Sequence, residues 1–178
     1  MKIVFKRILS NIHRYILCAL GSVLIWTWIF MLVTDAPRTK KITVMFDTVS
    51  VSDSALAAVL KEDVPKGLRT VKVRHVSYMD MTFGMDDEAD IYIIPGSKME
   101  ASAEYLVPLP YKLSDGDAVI NGEVYGWLLN GAASSYAVYD EAETYYLCFS
   151  KTSPHLGDMN DSKDDAALKV AEKILSLP

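Results

Sequence analysis

Cysteine and histidine are scarce in this chain. Two cysteines and three histidines in 178 residues exclude a disulfide framework and leave no Cys/His spacing that would hold zinc. Cys18 falls inside an apolar run, and Cys148 lies in Tyr145-Tyr146-Leu147-Cys148-Phe149, which reads as a strand. The two thiols are not expected to meet, and Cys148 is expected to be a buried, inert one. Positive charge is scarce too once the first 34 residues are set apart. Those hold Lys2, Lys6, Arg7 and Arg14 and no acidic residue, which leaves 14 basic against 23 acidic groups in the remainder, a net of −9. A domain of that sign lacks the basic footprint that nucleic acid requires, and it has no attraction for anionic lipid headgroups. Plain solubility is reason enough for the acidity.

Catalytic signatures are also missing. There is no H-E-x-x-H, no P-loop and no G-x-G-x-x-G, and Gly96-Ser97 lacks the frame of a nucleophile elbow. Ser153 and His155 stand close together without a visible third group. His75 sits on a β-type stretch and reads as a core or edge histidine, and His13 as a flanking residue. Asp158-x-Asn160-x-Ser162-x-Asp164 begins like a calcium loop but carries Lys163 and Lys169 where glycine and glutamate are needed. It reads as a solvated helix N-cap. The cluster Asp86, Asp87, Glu88 and Asp90 reads as a solvated turn before a buried strand. The chain is therefore expected not to be an enzyme, with no catalytic residue, no metal and no cofactor.

What the sequence does have is one long apolar run. Residues 15–33, YILCALGSVLIWTWIFMLV, contain no charge, and Ser22 and Thr27 are the plainly polar members. A helix rises about 1.5 Å per residue, so this stretch covers roughly the 30 Å hydrocarbon core of a bilayer. Lys and Arg stay on the cytoplasmic side, which places the N-terminus inside and the acidic remainder outside. A cleaved signal peptide is the competing reading. Its apolar core would be shorter, about 7–15 residues, and would end at a small-x-small site. Here Thr34 and Ala36 are followed by Pro37, and Cys18 follows Leu17 rather than a small residue. Trp26 and Trp28 suit the outer interface. The sequence thus divides into a basic cytoplasmic segment at 1–14, a transmembrane helix at 15–34, a linker at 35–40 and an extracytoplasmic domain at 41–178. The basic segment is amphipathic and either lies along the inner membrane surface or continues the helix.

Beyond the linker, strand and helix patterns alternate. Residues 42–46 form an apolar β-type run, followed by a polar turn at 47–54 and a helix at 55–61 capped by Ser52 or Asp53. Pro65, Lys66 and Gly67 break the chain, and residues 70–78 alternate as a strand. Residues 91–94 are a fully apolar strand ended by Pro95 and Gly96, with a short helix at 98–106. Asn121-Gly122 predicts a hairpin within 119–129. Strands are expected at 135–139 and 145–149, and an amphipathic helix at 164–177 with Ala167, Leu168, Ala171, Ile174 and Leu175 on one stripe. This order predicts an α/β domain with a mainly parallel sheet. Ligands of such sheets gather at the carboxyl ends of strands, which makes Asp47, Thr48, Ser50, Gly96 and Ser97 the candidate ligand-binding residues, with Tyr125 and Trp127 as an aromatic wall. Capping and core packing are the competing roles for all seven.

Several segments carry a resemblance. Lys41-Ile-Thr-Val-Met-Phe46, the helix at 55–61 and Ala89-Asp-Ile-Tyr-Ile-Ile-Pro95 resemble the first lobe of extracytoplasmic solute-binding proteins of ABC transporters. Gly122-Glu-Val-Tyr-Gly126 resembles their G-x-x-Y-G return segment, and residues 145–177 their strand-plus-helix unit. The resemblance implies a single periplasmic-binding-protein-like lobe, since about thirty residues between Leu113 and Tyr145 are too few for a second lobe. It implies a membrane-anchored, non-catalytic module that binds a small ligand weakly, or a transporter or membrane-protein partner. The alternative is a structural or interaction subunit of a membrane complex with no small-molecule ligand.

Overall fold

The computed structural model of the chain describes residues 12–34, 36–62, 68–76, 89–156 and 166–178. The segment before Ile12, the Pro65-Lys66-Gly67 break, Asp86 to Glu88 and the calcium-like tract lie outside them. The chain divides into two compact units, Met1–Ala36 and Pro37–Pro178.

The first unit is helix α1, Ile12–Thr34. Its stretch Ile12–Phe30 is 19 residues long and apolar enough to cross a membrane, and none of that stretch is buried within the chain. Ile16, Leu17, Leu24, Trp26 and Trp28 are all more than half exposed. The hydroxyls of Ser22 and Thr27 are satisfied within the helix: Ser22 Oγ donates to Ala19 O and Thr27 Oγ1 to Val23 O, each at 2.8 Å. Hydrogen bonds closed within the segment are what a helix in hydrocarbon requires. The helix is compatible with a single-pass anchor and with a signal sequence.

The second unit is a mixed α/β domain. Its strands are β1 Lys41–Phe46, β2 Ser50–Val51, β3 Thr70–His75, β4 Ile91–Pro95, β5 Ala118–Ile120, β6 Glu123–Leu128, β7 Ala137–Val138 and β8 Tyr145–Phe149. Its helices are α2 Asp53–Glu62, α3 Gly96–Ser102 and α4 Ala166–Ser176, with 3-10 turns at Arg38–Lys40 and Ala103–Tyr105. A six-stranded sheet runs β3-β1-β4-β8-β6-β5, and β2 pairs with β7 in a separate ribbon. β1 is parallel to β3 and β4, whereas β4–β8, β8–β6 and β6–β5 are antiparallel. The expectation of a mainly parallel sheet is thus corrected to a mixed one. Helix α2 bridges β1 and β3 as a crossover requires, but β5 and β6 are joined by a tight turn that can only return the chain antiparallel.

The apolar runs at β1 and β4 are continuous because both faces of the sheet are covered. Alternate residues divide between two cores. Ile42, Val44, Phe46, Ile91, Ile93, Leu147 and Phe149 pack on one face with Leu56 and Leu60 of α2 and Val170, Ala171 and Ile174 of α4. Met45, Tyr92, Ile94 and Cys148 pack on the other with Met99 of α3 and Leu106. Burial pushes the Cys148 thiol well up, so it stays protonated and inert.

The Asn121-Gly122 hairpin forms as expected. Both residues take positive φ, 53° and 87°, the conformation a type I′ turn demands and Gly tolerates freely. Within the hairpin Ala118 pairs with Gly126 and Val119 with Val124, so Tyr125 is a bulge. Gly126 is needed for packing: a Cβ there would sit 2.8 Å from Cys148 Sγ and 2.9 Å from Tyr146 Cβ.

Candidate functional site

The parallel strands deliver their carboxyl ends to one edge of the sheet. The backbone N–H of Asp47 donates to Ile93 O at 2.9 Å, so the polar turn after β1 lies beside the end of β4. There the Asp47 carboxylate meets Lys98 Nζ of α3 at 2.6 Å. Thr48 is buried. Its Oγ1 donates to Ser50 O at 3.3 Å, and its carbonyl accepts a 2.6 Å bond from His75 Nε2. His75 is therefore an edge histidine that pins the β1 turn to the end of β3. Ser50 is an exposed member of the β2–β7 ribbon.

Gly96 and Ser97 open onto a cleft of about 700 Å³. Its other walls are Glu100, hairpin residues 117–121, loop residues 142–144 and Tyr146. The loop is tied to the start of α3: Gly96 N–H donates to Thr144 O at 2.7 Å, and Ser97 N–H to Glu143 Oε2 at 3.4 Å. A second cavity, of about 300 Å³, lies on the other side of the loop. Its lining includes Asn130, Tyr139, Asp140, Glu141 and Tyr145, and it shares Glu143 and Thr144 with the first. No lysine, arginine or histidine is among the described residues lining either cavity.

The seven expected site residues therefore separate. Gly96 and Ser97 line the cleft, and Asp47 is joined to the same helix through Lys98. Thr48 and Ser50 serve the local turn. Tyr125 is half-buried, packs on the second core and donates its hydroxyl to Glu123 Oε2 at 3.1 Å. Trp127 corrects the expectation of an aromatic wall. It is 1% exposed, stands edge-on to Phe149 at 5.5 Å and donates Nε1–H to Tyr111 O at 3.3 Å. The indole is core.

Two buried carboxylates escaped the sequence reading. Asp117, in the cleft wall, accepts from Leu113 N–H at 2.6 Å, Ser114 N–H at 3.0 Å, Ser114 Oγ at 2.9 Å and Leu128 N–H at 2.9 Å. Burial pushes its carboxyl up, but the bonds from Leu128, Ser114 and Leu113 outweigh it and hold the group below its ordinary range. The signal was the S-D-G-D turn, with an Asp three residues after Ser114.

Asp90 lies at the other end of β4. The acidic run predicts a solvated turn here, yet Asp90 is fully buried. Its Oδ2 accepts Thr43 N–H at 2.8 Å, and its Oδ1 accepts Ser153 Oγ–H at 2.6 Å. The third group near Ser153 and His155 is therefore this carboxylate. The imidazole, however, turns away from the hydroxyl: Nε2 bonds Arg38 O at 2.9 Å, and it is the His155 backbone N–H that donates to Ser153 Oγ at 3.2 Å. Arg38 in turn donates to Thr152 O and Oγ1.

No family model matches the chain, and no curated protein matches it. Among solved structures, thiaminase I from Bacillus thiaminolyticus aligns with a TM-score of 0.33 at 20% identity. The alignment spans 48% of this chain and 27% of the thiaminase. The name of that neighbour is an enzyme's and stands against the expectation that the chain is not one; a likeness of this depth assigns no activity to this chain.

Proposed function

We propose that the chain is a membrane-anchored module whose extracytoplasmic domain, of solute-binding-like fold, binds a small ligand or a transporter or membrane-complex partner. The binding site is the carboxyl edge of the parallel strands. The observation that carries this reading is the cleft of about 700 Å³ between α3, the β5–β6 hairpin and the loop at 142–144. That is where open α/β sheets take their ligands. The exposed apolar helix supports the anchor, and the four basic residues before the apolar run at 15–33 support an N-terminus held inside.

Two outcomes follow. Protease added to intact cells or spheroplasts should digest residues 36–178 and leave the N-terminal segment protected. Digestion of that domain only after lysis would reverse the topology. Binding strength follows from the shape of the domain. A single lobe leaves the cleft without a second lobe to close over it, so half the contacts of a clamp are missing while the entropy cost of association remains. The purified monomeric chain in non-ionic detergent should bind sugars, amino acids or oligopeptides with a Kd of about 1 mM or weaker. Calorimetry against a solute panel checks this. Micromolar binding by the monomer would mean that the domain closes a complete pocket by itself.

A further inference from the structure

The two cavities that flank the loop at 139–144 share a chemical bias. The smaller contains an aromatic pair, Tyr139 and Tyr145, with ring centroids 4.9 Å apart and planes tilted by 54°. Both hydroxyls have protein partners. Tyr139 donates to Ala132 O at 2.8 Å, and Tyr145 accepts Asp140 N–H at 3.2 Å. These bonds fix the rings; Tyr145 is buried in the first core and Tyr139 packs against that core, and the part of each ring that borders the cavity is carbon surface held in place. Around them stand Asp140, Glu141 and Glu143, and the adjoining cleft adds Glu100. No basic side chain among the described lining residues offsets these carboxylates.

The ligand's charge and kind follow from these walls. An anion would meet only like charge. A bare metal ion needs several ligand atoms converging at short range, and no group of three His, Cys, Asp or Glu among the described residues is close enough to hold one. A cavity of about 300 Å³ suits a molecule rather than an ion. Aromatic faces with carboxylates at their edge attract a diffuse, weakly hydrated positive charge. We infer that the cavity lined by Tyr139, Tyr145, Asp140, Glu141 and Glu143 binds a small organic cation of the alkylammonium class. The inference rests on the reading of this edge of the domain as a ligand site, and it names the class of ligand.

Choline and its uncharged carbon isostere, 3,3-dimethylbutan-1-ol, test it by calorimetry on the full chain in non-ionic detergent. Choline should bind saturably, with a Kd of about 1 mM, and the isostere at least about fivefold more weakly. Glu141→Gln, at an exposed position that leaves the fold alone, should weaken choline about fivefold. Tyr139→Leu should weaken it about two- to fivefold, whereas Tyr139→Phe, which keeps the ring, should not. Equal binding of choline and its isostere would overturn the inference, as would choline binding indifferent to Glu141→Gln. If a neutral or anionic solute binds and choline does not, the cation assignment falls and the ligand site stands. If no solute binds, both fall.

Discussion

Trp127→Ala should destabilise the α/β domain by about 3–5 kcal/mol, the usual cost of emptying a large aromatic site in a packed core. The indole is almost fully buried in the first core, between Phe149 of β8 and Tyr111, whose ring centroids are each 5.5 Å from its own. Truncation removes both aromatic contacts and the Nε1–H bond to Tyr111 O. It also leaves a void where β6 meets β8, at the Trp127–Leu147 pairing. Packed neighbours relax only partly into such a void. A wall of a ligand site would behave otherwise, with stability kept and binding lost. Urea unfolding of the variant, followed by tyrosine fluorescence or circular dichroism, separates the two. A loss under about 1 kcal/mol would mean that the side chain is not part of the core. Trp127→Phe should lie between, because it keeps an aromatic body but loses the donor.

The misreading of Trp127 has a definite physical origin. Strict alternation along β6 places residues three apart on opposite faces. Val124 and Trp127 nevertheless share one core, because the bulge at Tyr125 shifts the parity of everything after it. A bulge depends on the pairing of two strands and leaves little trace in one of them. By contrast, β1, β4 and β8 were legible nearly to the residue. Their runs are continuous, and turn residues such as Asp47, Pro95 and Gly96 bound them. The Asn121-Gly122 turn was legible because its backbone demand is local. The place of β8 between β4 and β6 was not, since it follows from pairing Ile91 with Phe149 across the length of the domain. The cleft residues show the same division. Gly96 and Ser97 follow a strand in sequence and line the cleft, while Glu143 and Thr144 reach the same place only through that long-range pairing. Asp90 closes a run of acidic residues and so looks solvated. Only the register of β1 against β4, which brings Thr43 N–H to its carboxylate, shows that it is enclosed.

Asp90→Ala should cost about 2–3 kcal/mol, and the domain's response to pH should change with it. The substitution leaves the buried Thr43 N–H and the Ser153 hydroxyl without their acceptor. It also removes the negative charge that faces Arg38 and His155. Burial raises the Asp90 carboxyl above its ordinary value. The bonds from Ser153 and Thr43, and then the charges of His155 and Arg38, offset this only in part. The folded state therefore holds the Asp90 proton more tightly than the unfolded chain does. The stability this contributes is present below the ordinary carboxylate range and is lost as pH rises through the elevated value. Asp117, held below its ordinary range, acts in the opposite sense: its contribution is present above the ordinary carboxylate range and fades as pH falls through the lowered value. Asp90→Asn isolates the first effect. The amide keeps one acceptor oxygen and cannot ionise. Its unfolding midpoint in urea should lose the decline on raising pH from the carboxylate range toward neutrality, while the fall at more acid pH, where Asp117 takes up its proton, should persist. If Asp90→Asn and the unsubstituted chain traced the same curve between those limits, Asp90 would not be titrating in the folded domain with a raised pKa. If Asp90→Ala cost under about 0.5 kcal/mol, the network through Thr43 and Ser153 would not be contributing to the fold.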